Sequence, residues 1–302
     1  MRIIILTQYY PPETGAPQNR LHSLASNLML LGEDVEVITA MPNYPKYEIF
    51  EGYKGKWLMK DKFEEVPLTR SYIYTTKKFG IIPRLLNYFS FTISSFFAAL
   101  FKVKKGDVLI CESPPLFLGI TAVFIKGIWR CKLVFNVSDL WPESAEKLGI
   151  IKNKFLLNIS YKLANWIYKR SDFISGQTQG IVAEIKKFQP KKNVYWLPNG
   201  FDYEKFGKFL EYEPIIANEF IVLYAGIIGH AQGLETIIYA ADKLREEKEI
   251  KFYIVGDGPE KQSLMTLAKT MRLENIVFLP NQTPAEVALW LQKCKAYVVP
   301  LR

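Results

Sequence analysis

Tyr224-Ala225-Gly226-Ile227-Ile228-Gly229-His230-Ala231-Gln232-Gly233-Leu234-Glu235 decides the fold. An apolar run over 220–225 closes in a glycine-bearing loop, and a helical pattern opens at 233. Thirty residues on, Ile254-Val255-Gly256-Asp257-Gly258-Pro259-Glu260 repeats that order of strand end, small-residue turn and helix start. Small residues let backbone N–H groups approach a phosphate, and a helix start adds partial positive charge. The spacing is not G-x-G-x-x-G, so the dinucleotide fingerprint is not met. One such loop reads equally well as an ordinary tight turn. Two in one domain point to a phosphate-bearing ligand, held beyond the carboxyl ends of the strands.

The same alternation extends in both directions. Downstream the pattern predicts strands at 251–255, 276–279 and 296–299, with helices at 233–246, 259–272 and 284–293. Upstream it predicts strands at 2–6, 35–39, 107–111, 133–137, 173–176 and 194–197, and a strand pair within 66–74. Helices are expected at 18–31, 83–103, 116–130, 152–170 and 178–188, with 42–60 as a loop. Leu21, Leu24, Ala25, Leu28 and Leu31 share one face of the first helix, and Gly32 stops it. The βαβ rhythm implies a parallel sheet with helices on both faces. Pro198-Asn199-Gly200 punctuates the chain, so the reading is two Rossmann-like, doubly wound α/β domains, 1–199 and 200–302, facing a shared cleft. An α/β domain normally continues past a strand such as the one ending at 300 with a loop and a covering helix. The second domain is therefore expected to be incomplete.

Composition narrows the function. The chain has 302 residues with 49% apolar content, enough for a sizeable core. Its three cysteines form no C-x-x-C pair and its only histidines are His22 and His230, which excludes a disulfide framework and a multi-histidine metal site. The start is no signal peptide, and no 20-residue stretch is uniformly apolar. A cytoplasmic protein is expected. The net charge is +9, and residues 1–198 carry 27 Lys/Arg against 16 Asp/Glu. The basic half should face something anionic. From Lys77 to Lys105 there is no acidic residue, and an aromatic, apolar helix lies between basic flanks. That pattern suits an anionic membrane surface, against the plainer reading of a buried core helix. Nucleic acid is not expected, because the aromatics lie on a helix rather than an open sheet.

Two loops in the first half carry polar chemistry. Phe135-Asn136-Val137-Ser138-Asp139-Leu140-Trp141-Pro142-Glu143-Ser144 is a buried strand ending in polar residues. Asp139 suits an acid/base or hydroxyl-binding role, and Trp141 suits stacking on a sugar. A helix cap and a core tryptophan would explain them equally. In Tyr9-Tyr10-Pro11-Pro12-Glu13-Thr14-Gly15-Ala16-Pro17 the small pair at 15–16 permits close ligand approach, or simply makes a turn. No D-x-D, P-loop or G-x-S-x-G is found.

These pieces, with Met41-Pro42-Asn43-Tyr44-Pro45 and Leu197-Pro198-Asn199-Gly200-Phe201-Asp202, together resemble glycosyltransferase family 4 and its GT-B fold, in particular the WbuB/WcaI-like branch used in O-antigen, colanic acid and capsule assembly. The resemblance implies a nucleotide-sugar substrate, typically a UDP-linked N-acetylamino sugar, bound by the second domain. It implies a polyprenyl-diphosphate-linked sugar acceptor bound by the first, and retaining transfer with no cofactor and no essential metal. Carried over, Asp139 and Ser138 fall in the catalytic segment, and Trp141, Glu143, Tyr44 and Arg20 on the acceptor side. Gly15, Gly229, His230, Gln232, Gly233, Gly256, Asp257, Gly258 and Pro280 fall around the donor. Many relatives carry a His where Ser138 stands, and an Arg and a Lys in the loop of His230 and Gln232. The family's paired-glutamate segment is expected beyond Arg302, so little transferase activity is expected of these 302 residues. The location implied is peripheral, on the inner face of the cytoplasmic membrane. A nonhydrolysing UDP-sugar 2-epimerase and a noncatalytic membrane-associated fragment are the alternatives.

Overall fold

Alternate residues of the first strand enter different cores. In β1 (Arg2–Leu6), Ile4 and Leu6 join one buried cluster while Ile3 and Ile5 join another. Side chains of successive strand residues point to opposite faces, so this strand is covered on both sides. The computed structural model describes residues 1–300 apart from 14, 46, 79, 148–150, 152 and 201–218. It divides into two units, Met1–Gly200 and Phe201–Arg302.

The first unit adds β2 (Asp34–Ala40), β3 (Leu58–Phe63), β4 (Val66–Ser71), β5 (Val108–Ser113), β6 (Lys132–Val137), β7 (Phe173–Gly176) and β8 (Val194–Trp196). The strand order is β3-β4-β2-β1-β5-β6-β7-β8. All neighbours are parallel except β3 and β4, which pair antiparallel from Leu58↔Ser71 to Phe63↔Val66. This corrects two sequence expectations. The stretch 66–74 holds one strand rather than two, and its partner begins inside the stretch expected as loop. The cause is edge position: β3 reads Leu-Met-Lys-Asp-Lys-Phe and buries no residue fully, so its polar pattern hides a strand.

Helices α1 (Ala16–Leu30), α2 (Ile81–Lys102), α3 (Leu118–Trp129), α4 (Glu143–Lys147), α5 (Lys154–Arg170) and α6 (Gln179–Phe188) cover the sheet. Leu21 and Ala25 of α1 pack with Ile3 and Ile5, whereas Phe91 and Ala98 of α2 and Ala122 and Ile125 of α3 pack with Ile4 and Leu6. The connections after β1 and after β5 therefore leave on opposite faces. That divergence opens a crevice at the carboxyl ends of β1 and β5, where ligands of such sheets bind.

By length and composition, Ile82–Lys102 would suffice to cross a membrane, with a mean hydropathy of 1.2, and a third of it is buried. Its buried face belongs to the core, and Thr121 Oγ1 of α3 donates to Thr92 O at 2.6 Å. On its other face Ile82, Leu86, Phe89, Ile93, Phe97 and Phe101 are exposed, Phe101 by 77%. Their spacing of three and four places them on one stripe. Phe124 and Ile128 of α3, and Phe155 and Ile159 of α5, repeat that spacing and are exposed as well.

The second unit is a parallel sheet of β9 (Phe220–Ala225), β10 (Ile250–Val255), β11 (Ile276–Leu279) and β12 (Ala296–Tyr297), in the order β11-β10-β9-β12. Helices α7 (Glu235–Lys243), α8 (Lys261–Thr270) and α9 (Pro284–Lys293) alternate with the strands. Ile237, Ile238, Phe252 and Ile254 fill one core, and Ile221, Leu223 and Val255 another.

Candidate functional site

A buried polar row crosses three strands at the carboxyl end of the first sheet. Glu112 of β5 stands opposite Asn136 of β6, which stands opposite Ser175 of β7. Asn136 Nδ2 donates to Glu112 Oε2 at 2.5 Å, and Ser175 Oγ donates to Asn136 Oδ1 at 2.7 Å. Glu112 Oε1 accepts from the Ser138 hydroxyl and from the Arg20 guanidinium. Arg20 Nη2 also reaches Ser138 Oγ at 2.8 Å, and Nη1 lies 3.4 Å from Asn199 Oδ1. Arg20 comes from α1 and Glu112 from β5, so their ion pair spans the crevice between the two diverging connections.

The pair is nearly dry: the Glu112 side chain is 2% exposed and that of Arg20 13%. Burial pushes the Glu112 carboxyl up from its ordinary range, and Arg20, Ser138 and Asn136 pull in the opposite direction. Arg20 Nε has no partner among the described residues. The Ser138 hydroxyl proton is committed to Glu112. The chemistry at Ser138 is therefore that of a tether holding a cation at the strand tips.

A second buried carboxylate shapes the loop after β1. Glu13 Oε1 accepts the backbone N–H of Asn43 at 2.7 Å and of Tyr44 at 2.9 Å, and Oε2 accepts Gln18 Nε2 at 3.2 Å. Burial raises its pKa and these donors oppose the rise. Arg70, fully buried on β4, donates to Pro11 O at 2.5 Å and to Asp61 Oδ2 at 2.5 Å. Tyr44 is thereby pinned beside Tyr9, their rings edge to face at 6.2 Å.

Of the sequence-predicted residues in this unit, Arg20 and Ser138 are brought together. Asp139 is exposed and makes no hydrogen bond or ion pair with the described residues. Trp141 is half-buried, packed on the core with its ring 6.3 Å from Phe117. Glu143 opens α4, its Oε2 buried without a partner among the described residues, and burial raises its pKa. Gly15 precedes α1 with no side chain to cap it, and a Cβ there would stand 2.5 Å from Gln18 Oε1. Sequence reading gave no role to Glu112, Glu13 or Arg70. Glu112 carries one legible signal, a lone carboxylate ending an apolar strand.

In the second unit the predicted glycines are fixed by the backbone of a neighbouring loop. A Cβ on Gly256 would lie 1.9 Å from Gly226 O, and one on Gly258 2.3 Å from Ile228 O. Ile228 N donates to Asp257 O at 2.9 Å, and Glu260 N to Ile228 O at 3.1 Å. The loops after β9 and β10 are thus zipped together. Lys261 Nζ ties in the third, donating to Gly256 O at 2.8 Å and Leu279 O at 2.9 Å, just before the exposed Pro280. His230 and Gln232 form a short 3-10 turn between Gly229 and Gly233, and Gly233 takes a left-handed φ of 59° that a side chain would strain. Three connected loops at parallel strand ends present backbone with little side-chain bulk, a surface that lets a nucleotide approach closely.

Comparison with known proteins gives this geometry a context. Residues 208–302 match the family model "Glycosyl transferases group 1". WcaI of Escherichia coli K12, named as a colanic acid biosynthesis glycosyl transferase, is 28% identical over 296 residues, spanning 94% of this chain and 72% of WcaI. Among solved structures, sucrose-phosphate synthase from Thermosynechococcus elongatus superposes with a TM-score of 0.71 at 12% identity, covering 99% of this chain and 75% of that one. Anabaena Alr3699/HepE in complex with UDP gives 0.65 at 14% identity, covering 99% and 74%.

Proposed function

We propose that this chain, a glycosyltransferase of the GT-B fold whose second unit carries the group 1 domain, moves a sugar from a UDP-linked donor to a lipid-linked acceptor in cell-surface polysaccharide assembly, working against an anionic membrane. The observation that carries the reading is the zipped set of glycine loops in the group 1 domain, with backbone groups at parallel strand ends as the donor site. HepE, of like fold, was solved with UDP, which supports a uridine donor here. The likeness to WcaI supports a polysaccharide pathway of the colanic acid kind.

Roles follow from chemistry. As the sugar leaves, negative charge grows on the diphosphate, so preorganised donors are the main catalytic need. In the second unit the loops around Gly229–Gly233 and Gly256–Gly258 meet the donor, with Pro280 edging the base. In the first, Asp139 is exposed and uncommitted, free to accept an acceptor hydroxyl. Arg20, held by Glu112 and Ser138, supplies a fixed positive charge for an acceptor phosphate. Tyr44 and Trp141 offer rings against which a sugar can stack. Transfer proceeds with retention and needs no bound metal.

The membrane part rests on α2. Its exposed apolar stripe, its acid-free sequence and the lysines beyond its ends match an anionic interface. Peripheral attachment to the inner face of the cytoplasmic membrane is part of the proposal. Calorimetric titration with UDP tests the donor reading. Binding at sub-millimolar concentration is expected of folded protein, and none at millimolar UDP would refute it. Flotation with vesicles of phosphatidylglycerol at low salt tests the membrane reading, which fails if the protein stays at the bottom of the gradient.

A further inference from the structure

At the opposite end of the first sheet from the polar row, a cavity of about 500 Å³ is ringed by Lys126, Arg130, Lys132, Lys169 and Arg170, with Asp172 the one acidic lining residue. It is formed where α3 and α5 end and β6 and β7 begin. We propose that this cavity binds a phosphate group.

Cations at helix C-termini often serve the helix dipole, and here two of them do. Lys126 Nζ donates to Arg170 O at 2.7 Å, and Lys192 Nζ to Ser171 O at 2.7 Å. Asp172 is also accounted for: it pairs with Lys126 at 2.9 Å and accepts Leu133 N at 2.8 Å. That leaves Arg130, Lys132, Lys169 and Arg170 without an ion pair or side-chain hydrogen bond among the described residues. Four like charges in one concavity repel each other, and a multivalent anion relieves that repulsion. Guanidinium groups add the forked donor geometry that matches phosphate oxygens. Phe124 and Ile128, exposed on α3 beside the cavity, give the site an apolar flank.

The phosphate can come from solution or from a phospholipid headgroup, and two assays on the full chain separate these sources. Inorganic phosphate is titrated by calorimetry. Flotation is run with equimolar phosphatidylglycerol and phosphatidylcholine vesicles against pure phosphatidylcholine. The test variant is Arg130→Gln/Arg170→Gln, with Lys132→Gln/Lys169→Gln as an independent second. Lys186→Gln/Lys191→Gln removes the same charge from exposed positions outside the cavity. Each cation removed should weaken the interaction about fivefold, so about 25-fold per double variant. Loss confined to flotation assigns the site to a lipid phosphate, and loss in both assays to phosphate generally. The proposal is overturned if both cavity variants match the wild type in both assays, or if the control loses as much as they do. Phe97→Ser/Phe101→Ser, which alters only the apolar stripe of α2, should leave the calorimetric titration unchanged.

Discussion

Asp139 and Glu112 are two carboxylates with opposite prospects. Asp139 is exposed and unpartnered, so Asp139→Ala should change stability by less than about 0.5 kcal/mol. In a form of the protein that shows sugar transfer, turnover should fall by about 10²–10⁴ if Asp139 assists the acceptor hydroxyl. Equal loss of melting temperature and activity would show a structural role instead. Glu112→Ala removes the counterion of a buried Arg20 and should cost about 3–5 kcal/mol in urea unfolding. Glu112→Gln, which keeps an acceptor for Ser138, should cost less than the alanine variant. The sequence exposed Asp139 through its position in a polar strand end. It hid Glu112, because the partners lie 92 and 26 residues away and only the folded arrangement of α1 and the sheet brings them together. In the second unit, Gly256→Ala would drive a methyl into Gly226 O and should lower stability by about 2–4 kcal/mol, measured by thermal melting. The sequence marked the position, but close approach of a ligand and close packing of a neighbouring loop make the same demand for glycine.

Helix α2 was legible in the sequence because its apolar stretch is long, while β3 was not because an edge strand buries little. The stripe from Ile82 to Phe101 faces away from the core, so Phe97→Ser/Phe101→Ser should leave the melting temperature within about 2 °C and abolish vesicle flotation. Retained flotation would locate membrane contact elsewhere. The far end of the same helix is tied to the sheet by charge. Lys102 Nζ lies 2.6 Å from Glu36, and Arg2 bridges Glu36 and Asp107. Burial works against the Glu36 carboxylate, yet Lys102, Thr69 and Arg2 hold its pKa below 4.5. A carboxyl lowered on folding contributes stability above its unfolded value, and that contribution is lost as pH falls through the folded one. The denaturation midpoint should therefore drop below about pH 4.5, and Glu36→Gln should flatten that drop.

Two units of separate core are expected to unfold separately. Scanning calorimetry should depart from two-state behaviour, with saturating UDP raising only the transition of the second unit, by about 2.7 kcal/mol at a hundredfold excess over Kd. A single transition would contradict separate unfolding, and a UDP shift confined to the first unit would contradict the placing of the donor in the second. The α/β alternation could be read from strand and helix periods. The crevice residues could not, since a doubly wound sheet brings together groups from connections far apart in the chain.

The Glu112–Asn136–Ser175 row has an effect on assembly as well as on chemistry. Shifting β6 by one step would set Phe135 or Val137 opposite Glu112 and strand a carboxylate against hydrocarbon. Glu112, which holds Arg20 in place, thus also belongs to an alignment key for three neighbouring strands. Drift in acceptor preference should accordingly accumulate in the exposed loop around Asp139, where change leaves the key intact.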